Sequence, residues 1–191
     1  MDEDFIVNSQ ELNAMNITSG PYFATLKQNN VYNAGISMVK RMDSKKIVNI
    51  EEVADFITFD IFLCNNDRND GNSILVATSE ARTKFKYLLI DHGHCFNGPD
   101  WNIEKIQNMP YKLGCIPWKK DGITSESQFS NSVQKMTLSI DEINSLLTLL
   151  PPEWCLIESE TDTLKQTLTN RNQDAIMSVI INNKGQFENW S

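Results

Sequence analysis

The chain has 191 residues, 40% of them hydrophobic and 22% charged, the composition of one globular domain with its own core rather than of a disordered segment. Its formal net charge of −8 repels phosphates and excludes nucleic acid and anionic membranes as general partners, while leaving room for a local basic pocket that takes one nucleotide. No apolar run has the length of a bilayer span, the acidic start MDEDFIVNSQ is not a signal peptide, and Cys64, Cys95, Cys115 and Cys155 form no C-x-x-C pair, which points to reduced thiols in a cytoplasmic protein rather than to a zinc site.

Residues 1–48 carry little pattern beyond a short apolar stretch at Tyr22 to Leu26 and a solvated SKK at 44–46. Asn49 followed by Glu52 has the spacing of a capping box, and Ile50, Val53, Ala54, Ile57 and Ile61 share one helical face, so a buried helix is expected from about residue 50. The β-branched and aromatic residues of FITFDIFL leave a strand open there, but length and cap favour the helix. CNNDRNDGNSILV, residues 64–76, follows as a polar loop. SILVAT (73–78) and KYLLID (86–91) read as the two strands of a hairpin.

Residues 98–137, with Gly98, Pro99, Pro110, Gly114, Pro117 and Gly122, are expected to be a long irregular segment, a kind of segment often tied to function. Ser139 and Glu142 form a second capping box, ahead of a stripe of Ile143, Leu146, Leu147 and Leu150 that Pro151 and Pro152 end. One longer helix is expected from about Asp162 to Ile181, with Leu164, Leu168, Ala175, Ile176, Val179 and Ile180 on its inner side. The order describes a single α+β domain: an ill-defined 1–48, a core at 49–97, the irregular 98–137 and helices over 138–191.

The polar loop has three readings. Asp70-Gly71 is a strong turn dipeptide, and the stretch is compatible with an ordinary hairpin turn. A calcium-binding EF-hand loop starting at Asp67 fails on register, because its sixth and twelfth positions would be Asn72 and Thr78 instead of glycine and glutamate. The third reading is phosphoryl transfer. A kinase catalytic loop places an asparagine five residues after its basic aspartate, and a second, metal-binding aspartate lies beyond a hairpin. Here Asn72 stands five residues after Asp67, and Asp91 ends the second predicted strand. The hairpin would bring Asn72 and Asp91 side by side, as two hard oxygen ligands for magnesium. That conjunction is more specific than the turn alone.

FDIFLCNNDRNDGNSILV followed by KYLLIDHGHCF resembles the HipA-like kinases and, more broadly, the atypical kinases related to phosphatidylinositol kinases. LPPEWCL and LKQTLTNR also look like the C-terminal end of that group. The motif-bearing likeness covers residues 50–97 and weakens out to about 181. It implies Asp67 as catalytic base, with Arg68 beside it positioning the loop or pairing with phosphate. Asn65, Asn72 and Asp91 would serve the nucleotide site, with Asn72 and Asp91 as ligands of Mg2+. The implied fold is a kinase C-lobe, mainly helical with a catalytic-loop hairpin. The implied reaction is transfer of the γ-phosphate of ATP to a protein serine or threonine hydroxyl, with AMP transfer left open.

No G-x-G-x-x-G occurs, and Lys27 and Lys40 are the upstream lysines in apolar surroundings. A small sheet lobe is therefore expected to be missing and to come, for an active enzyme, from a separately encoded N-lobe. The alternative is a catalytically inactive kinase-like protein that acts by engaging a protein partner; a toxin–antitoxin setting suits either. His92 and His94 flank Gly93. As H-x-H beside Asp91 they form a weak transition-metal pattern, and the preferred reading has His92 in place of the packing phenylalanine of a D-F-G.

Overall fold

A computed structural model of the chain describes residues 30–33, 42–98, 102–114, 119–149 and 157–190. Tyr22 to Leu26, Lys27, Lys40, Trp101, Trp118, Cys115, Cys155 and the Pro151–Pro152 stop lie outside the described residues.

The site rests on one helix and a small antiparallel sheet. A single 3-10 turn at Ile50–Glu52 leads into α1, Val53–Phe62. Its apolar spacing buries Val53, Ala54, Ile57 and Ile61 at 2% exposure or less, and each large aliphatic side chain so buried contributes about 1.5–3 kcal/mol. The Asn49–Glu52 capping box does not form. Asn49 is buried, and its side chain instead joins the sheet to Glu52: Nδ2 donates to the Tyr87 carbonyl (2.9 Å) and to Glu52 Oε2 (2.9 Å), and Oδ1 accepts from the Tyr87 amide (2.9 Å).

The expected hairpin is present as β2, Ser73–Ala77, and β3, Phe85–Leu89. Leu75 stands opposite Tyr87 in the register, and both are fully buried. Within the ill-defined N-terminal stretch, Val31–Asn33 forms β1, antiparallel to β2, so the sheet order is β1-β2-β3. The inner face of the sheet meets α1, where Phe56 lies edge-on to Tyr87 at 5.6 Å between centroids.

Two further sequence expectations are corrected. The described residues of 98–137 are largely helical: α2 spans Ile103–Gln107, α3 Lys119–Gly122 and α4 Glu126–Met136. α4 packs against α1 through buried Phe129 and Val133. Ser132 donates to Asp55 (2.5 Å), which also pairs with Lys135 (3.0 Å).

The single helix expected over 162–181 is two: α6, Glu158–Thr169, and α7, Gln173–Asn182. The break has a local cause. The Asn172 side chain accepts from the amides of Asp174 and Ala175 and starts α7 as an N-cap. Between α4 and α6 lies α5, Ile140–Leu147, with the expected Ser139–Glu142 capping box formed. Ile143 is buried, whereas Leu146 is exposed. The far end of the core is an aromatic cluster of Phe129, Phe187 and Trp190, with centroids 5.3–5.5 Å apart.

Candidate active site

The acid loop begins at the end of α1. The Asn65 amide donates to the Asp60 carbonyl (2.9 Å) and the Cys64 amide to that of Ile61 (3.3 Å). Cys64 takes a left-handed φ of 51°. This is a Schellman stop, which satisfies helix-end carbonyls through one left-handed residue. It turns the chain sharply and starts the loop beneath the sheet's open end.

The centre of the loop is an ion pair that sequence reading missed. Arg68 and Asp60 have fully buried side chains, and Arg68 Nε and Nη2 meet Asp60 Oδ2 and Oδ1 at 2.7 and 3.0 Å. The same guanidinium donates through Nη1 to the carbonyls of Asn72 (2.6 Å) and Ile90 (2.8 Å), and Nη2 reaches His92 Nδ1 (3.1 Å). One arginine thus ties α1, the loop and both open-end strand termini together. A carboxylate in an otherwise apolar helix is a signal that could have exposed Asp60, because a buried charge needs a partner.

Asn65 is buried and also turns inward. Its Nδ2 donates to Asp60 Oδ1 (3.1 Å), and its Oδ1 accepts from the Asp67 amide (3.2 Å). Both Asn65 and Arg68 therefore spend their side chains on holding the loop.

Asp67 and Asn72 are brought together. Asn72 Nδ2 donates to the Asp67 carbonyl (2.8 Å) and to Asp67 Oδ2 (3.1 Å). With its nitrogen so engaged, the amide presents its oxygen away from Asp67. Asn69 accepts from the Gly71 amide (2.8 Å) and donates to the Asp67 carbonyl (2.9 Å), closing the turn that the Asp-Gly dipeptide suggested.

The Ile90 amide donates to the Asn72 carbonyl (3.0 Å), which continues the β2–β3 ladder by one step and sets Asp91 at the open end. Asp91 is exposed, with a left-handed φ of 55°. Such strain in a non-glycine residue concentrates at functional sites. Asn72, bonded to Asp67, and Asp91, next to the Ile90 that pairs with Asn72, carry hard oxygens of the kind that could hold Mg2+, an ion that keeps water and phosphate in its remaining positions.

His92 lies edge-on to Phe59, 5.4 Å between centroids. A guanidinium only donates, so the Arg68 contact makes Nδ1 an acceptor and places the ring proton on Nε2. Burial, and after it the Arg68 charge, holds the His92 pKa below the ordinary value. Among the described residues no three His, Cys, Asp or Glu side chains converge as a metal cluster. Cys95 is buried beside the loop, and burial, reinforced by Asp60, pushes its thiol up to about 11. It is a core thiol.

The segment after α2 covers this assembly. A Cβ on Gly114 would stand 2.9 Å from Arg68 Cβ and 3.6 Å from Asp60 Oδ2. Only a residue without a side chain lets the backbone pass so close over the buried pair.

With a helix delivering the loop and a hairpin presenting an acid at its open end, the site has the layout of a kinase-type phosphotransfer centre. The family model for HipA-like kinases matches residues 2–186. The chain belongs to the HipA-like kinase family. Membership places it among kinases and implies a nucleotide as substrate. No curated protein and no solved structure matches the chain. Among the described residues no helix is long and apolar enough to cross a membrane.

Proposed function

We propose that this chain is the catalytic C-lobe of a HipA-like kinase that transfers the γ-phosphate of ATP to a serine or threonine hydroxyl of a protein. Its kinship would extend to the kinases related to phosphatidylinositol kinases. The observation that carries the reading is the Asp67–Asn72 pair: one amide fixes the Asp67 carboxylate and carbonyl through Nδ2, which leaves its own oxygen out of that bond.

Asp67 acts as the base. Its backbone is held at both amide and carbonyl, and Oδ2 takes the Asn72 hydrogen bond, so Oδ1 is the atom that accepts the hydroxyl proton as the oxygen attacks phosphorus. Asn72 and Asp91 would hold Mg2+, which when bound neutralises charge on the nucleotide phosphates. Arg68 keeps the two strand ends and the loop in register and takes no part in the chemistry. A separately encoded small lobe would supply the phosphate-covering loop that the sequence lacks, and the setting would be cytoplasmic.

Calorimetric titration of the chain with ATP, with and without magnesium, tests this. Magnesium-dependent binding that Asp91→Ala abolishes supports it. No binding at millimolar ATP removes the chain alone as a nucleotide-binding kinase.

A second reading is a kinase-like protein without catalysis that engages a protein partner. The absence of any G-x-G-x-x-G in the sequence favours it. Asp67→Ala and Asp91→Ala variants that fold and keep full biological effect would decide for it.

A further inference from the structure

Among the described residues the second buried arginine has no acidic partner. Arg171 sits in the break between α6 and α7 at 7% exposure. Its Nη1 donates to the Met109 carbonyl (2.8 Å), and its Nη2 donates to that of Ile61 (2.6 Å) with a longer contact to that of Pro110 (3.5 Å). The guanidinium carbon lies 3.7 Å from the centre of the Tyr111 ring, and Nε is buried without a partner. Carbonyls and a ring face satisfy dipoles but leave the full positive charge in place. A buried charge without an opposite one is costly.

Desolvation accordingly holds the Arg171 pKa below the ordinary arginine value, and the groups opposing that shift are the Tyr111 phenol and the Cys64 thiol, not a carboxylate. Arg68, by contrast, has Asp60.

Arg171 lines a cleft of about 300 Å³ between the end of α2 and α6. The other described lining residues are uncharged, and Gln107, Thr163, Gln166 and Asn170 among them carry hydrogen-bonding side chains. The nearest acid–base pair on this face, Asp162 with Lys165 (3.9 Å), lines the adjoining hollow instead. In a chain of net charge −8, a cleft with no acid among its described lining residues and a buried cation at its wall has the chemistry of an anion receptor.

We propose that the cleft between α2 and α6 is a binding site for a small oxyanion, a carboxylate or a phosphate, with Arg171 as its cation and the surrounding amides and hydroxyls as donors. It is separate from the acid loop and does not depend on the phosphotransfer reading.

The test titrates the full chain, without magnesium, with sodium phosphate and separately with sodium acetate, against sodium chloride at matched ionic strength. Thermal stability and calorimetry are the readouts. Saturable stabilisation by either ion beyond that of chloride is expected, and the stronger of the two names the anion class. Arg171 also ties three backbone segments, so its replacement would confound folding with binding.

The informative variant is Gln166→Glu, which sets a carboxylate on the exposed wall of the cleft. It is expected to fold as the wild type and to weaken binding about tenfold or more, as repulsion over a few ångströms at the surface dictates. No stabilisation beyond chloride overturns the proposal. So does an affinity unchanged in Gln166→Glu. A phosphate signal retained in Gln166→Glu but lost in Asp91→Ala would place the ion at the acid loop, and also overturns it.

Discussion

Asp60→Asn is the most informative single change. The two side chains of the Asp60–Arg68 pair are fully buried and joined at 2.7 Å. An amide in place of the carboxylate keeps the shape and one acceptor but leaves the guanidinium without its counter-charge. Breaking a buried pair from one side costs about 3–5 kcal/mol, and the retained acceptor sets the expectation at the lower end, about 3 kcal/mol. For a chain of this size that is a fall of about 6–12 °C in Tm.

Urea denaturation followed by tryptophan fluorescence measures the loss. The companion is Asp60→Leu with Arg68→Met, which removes both charges and returns much of the stability. It also removes the Arg68 bonds to the Asn72 and Ile90 carbonyls, so magnesium-dependent ATP binding should stay lost even though the fold recovers. A loss below about 1 kcal/mol for Asp60→Asn, or a double variant that binds nucleotide like the wild type, would refute the role given to Arg68.

Gly114→Ala should destabilise by about 1–3 kcal/mol, because the new Cβ would meet an arginine stem, 2.9 Å away, that four hydrogen-bonded groups hold still; equilibrium unfolding reads it. Asp91→Asn should leave stability within about 0.5 kcal/mol, since asparagine tolerates a left-handed φ of 55°, while magnesium-dependent ATP binding drops; comparing melting curves with calorimetry separates the two effects. The pH dependence of stability should carry a His92 contribution. The fold lowers its pKa, so the contribution is complete above the unfolded value of about 6.5 and is lost as pH falls from there through the folded value; the difference between wild-type and His92→Gln denaturation curves over pH 5 to 8 isolates it. Ser132→Ala should cost about 1 kcal/mol by removing the bond that ties α4 to Asp55 on α1, measured by the same unfolding assay.

The parts of the fold that were legible announce themselves locally. β2 and β3 are short apolar runs around a polar turn, and the acid loop has Asp67 and Asn72 at the offset that a kinase catalytic loop uses. α4 was not legible as a helix because its buried stripe of Phe129, Ser132 and Val133 includes a serine, and the stretch before it carries Gly114, Pro117 and Gly122. Its Ser125–Gln128 capping box was the overlooked signal. The break between α6 and α7 hides in an apolar spacing that runs across it, and Asn172 as an N-cap is what divides the two. At the site, spacing alone suggested Asp67, Asn72 and Asp91 as neighbours. It could not show that Asp60 and Arg68 hold the loop from below, since a pairing across eight positions of bent chain depends on the Schellman turn between them.

The bonds of Arg68 join residues 4, 8, 22 and 24 positions away. No local fragment can therefore form the site by itself. Helix α1 and the loop can nucleate early, yet the guanidinium finds its last acceptors only when the hairpin closes and docks. Acquisition of an ordered loop is then a late, cooperative event in folding, and chains caught before it leave the Asn72 and Ile90 carbonyls without their shared donor. If the acid loop is the nucleotide site proposed above, a nascent or partly unfolded copy would be silent toward nucleotide, and ligand binding would report on completion of the sheet.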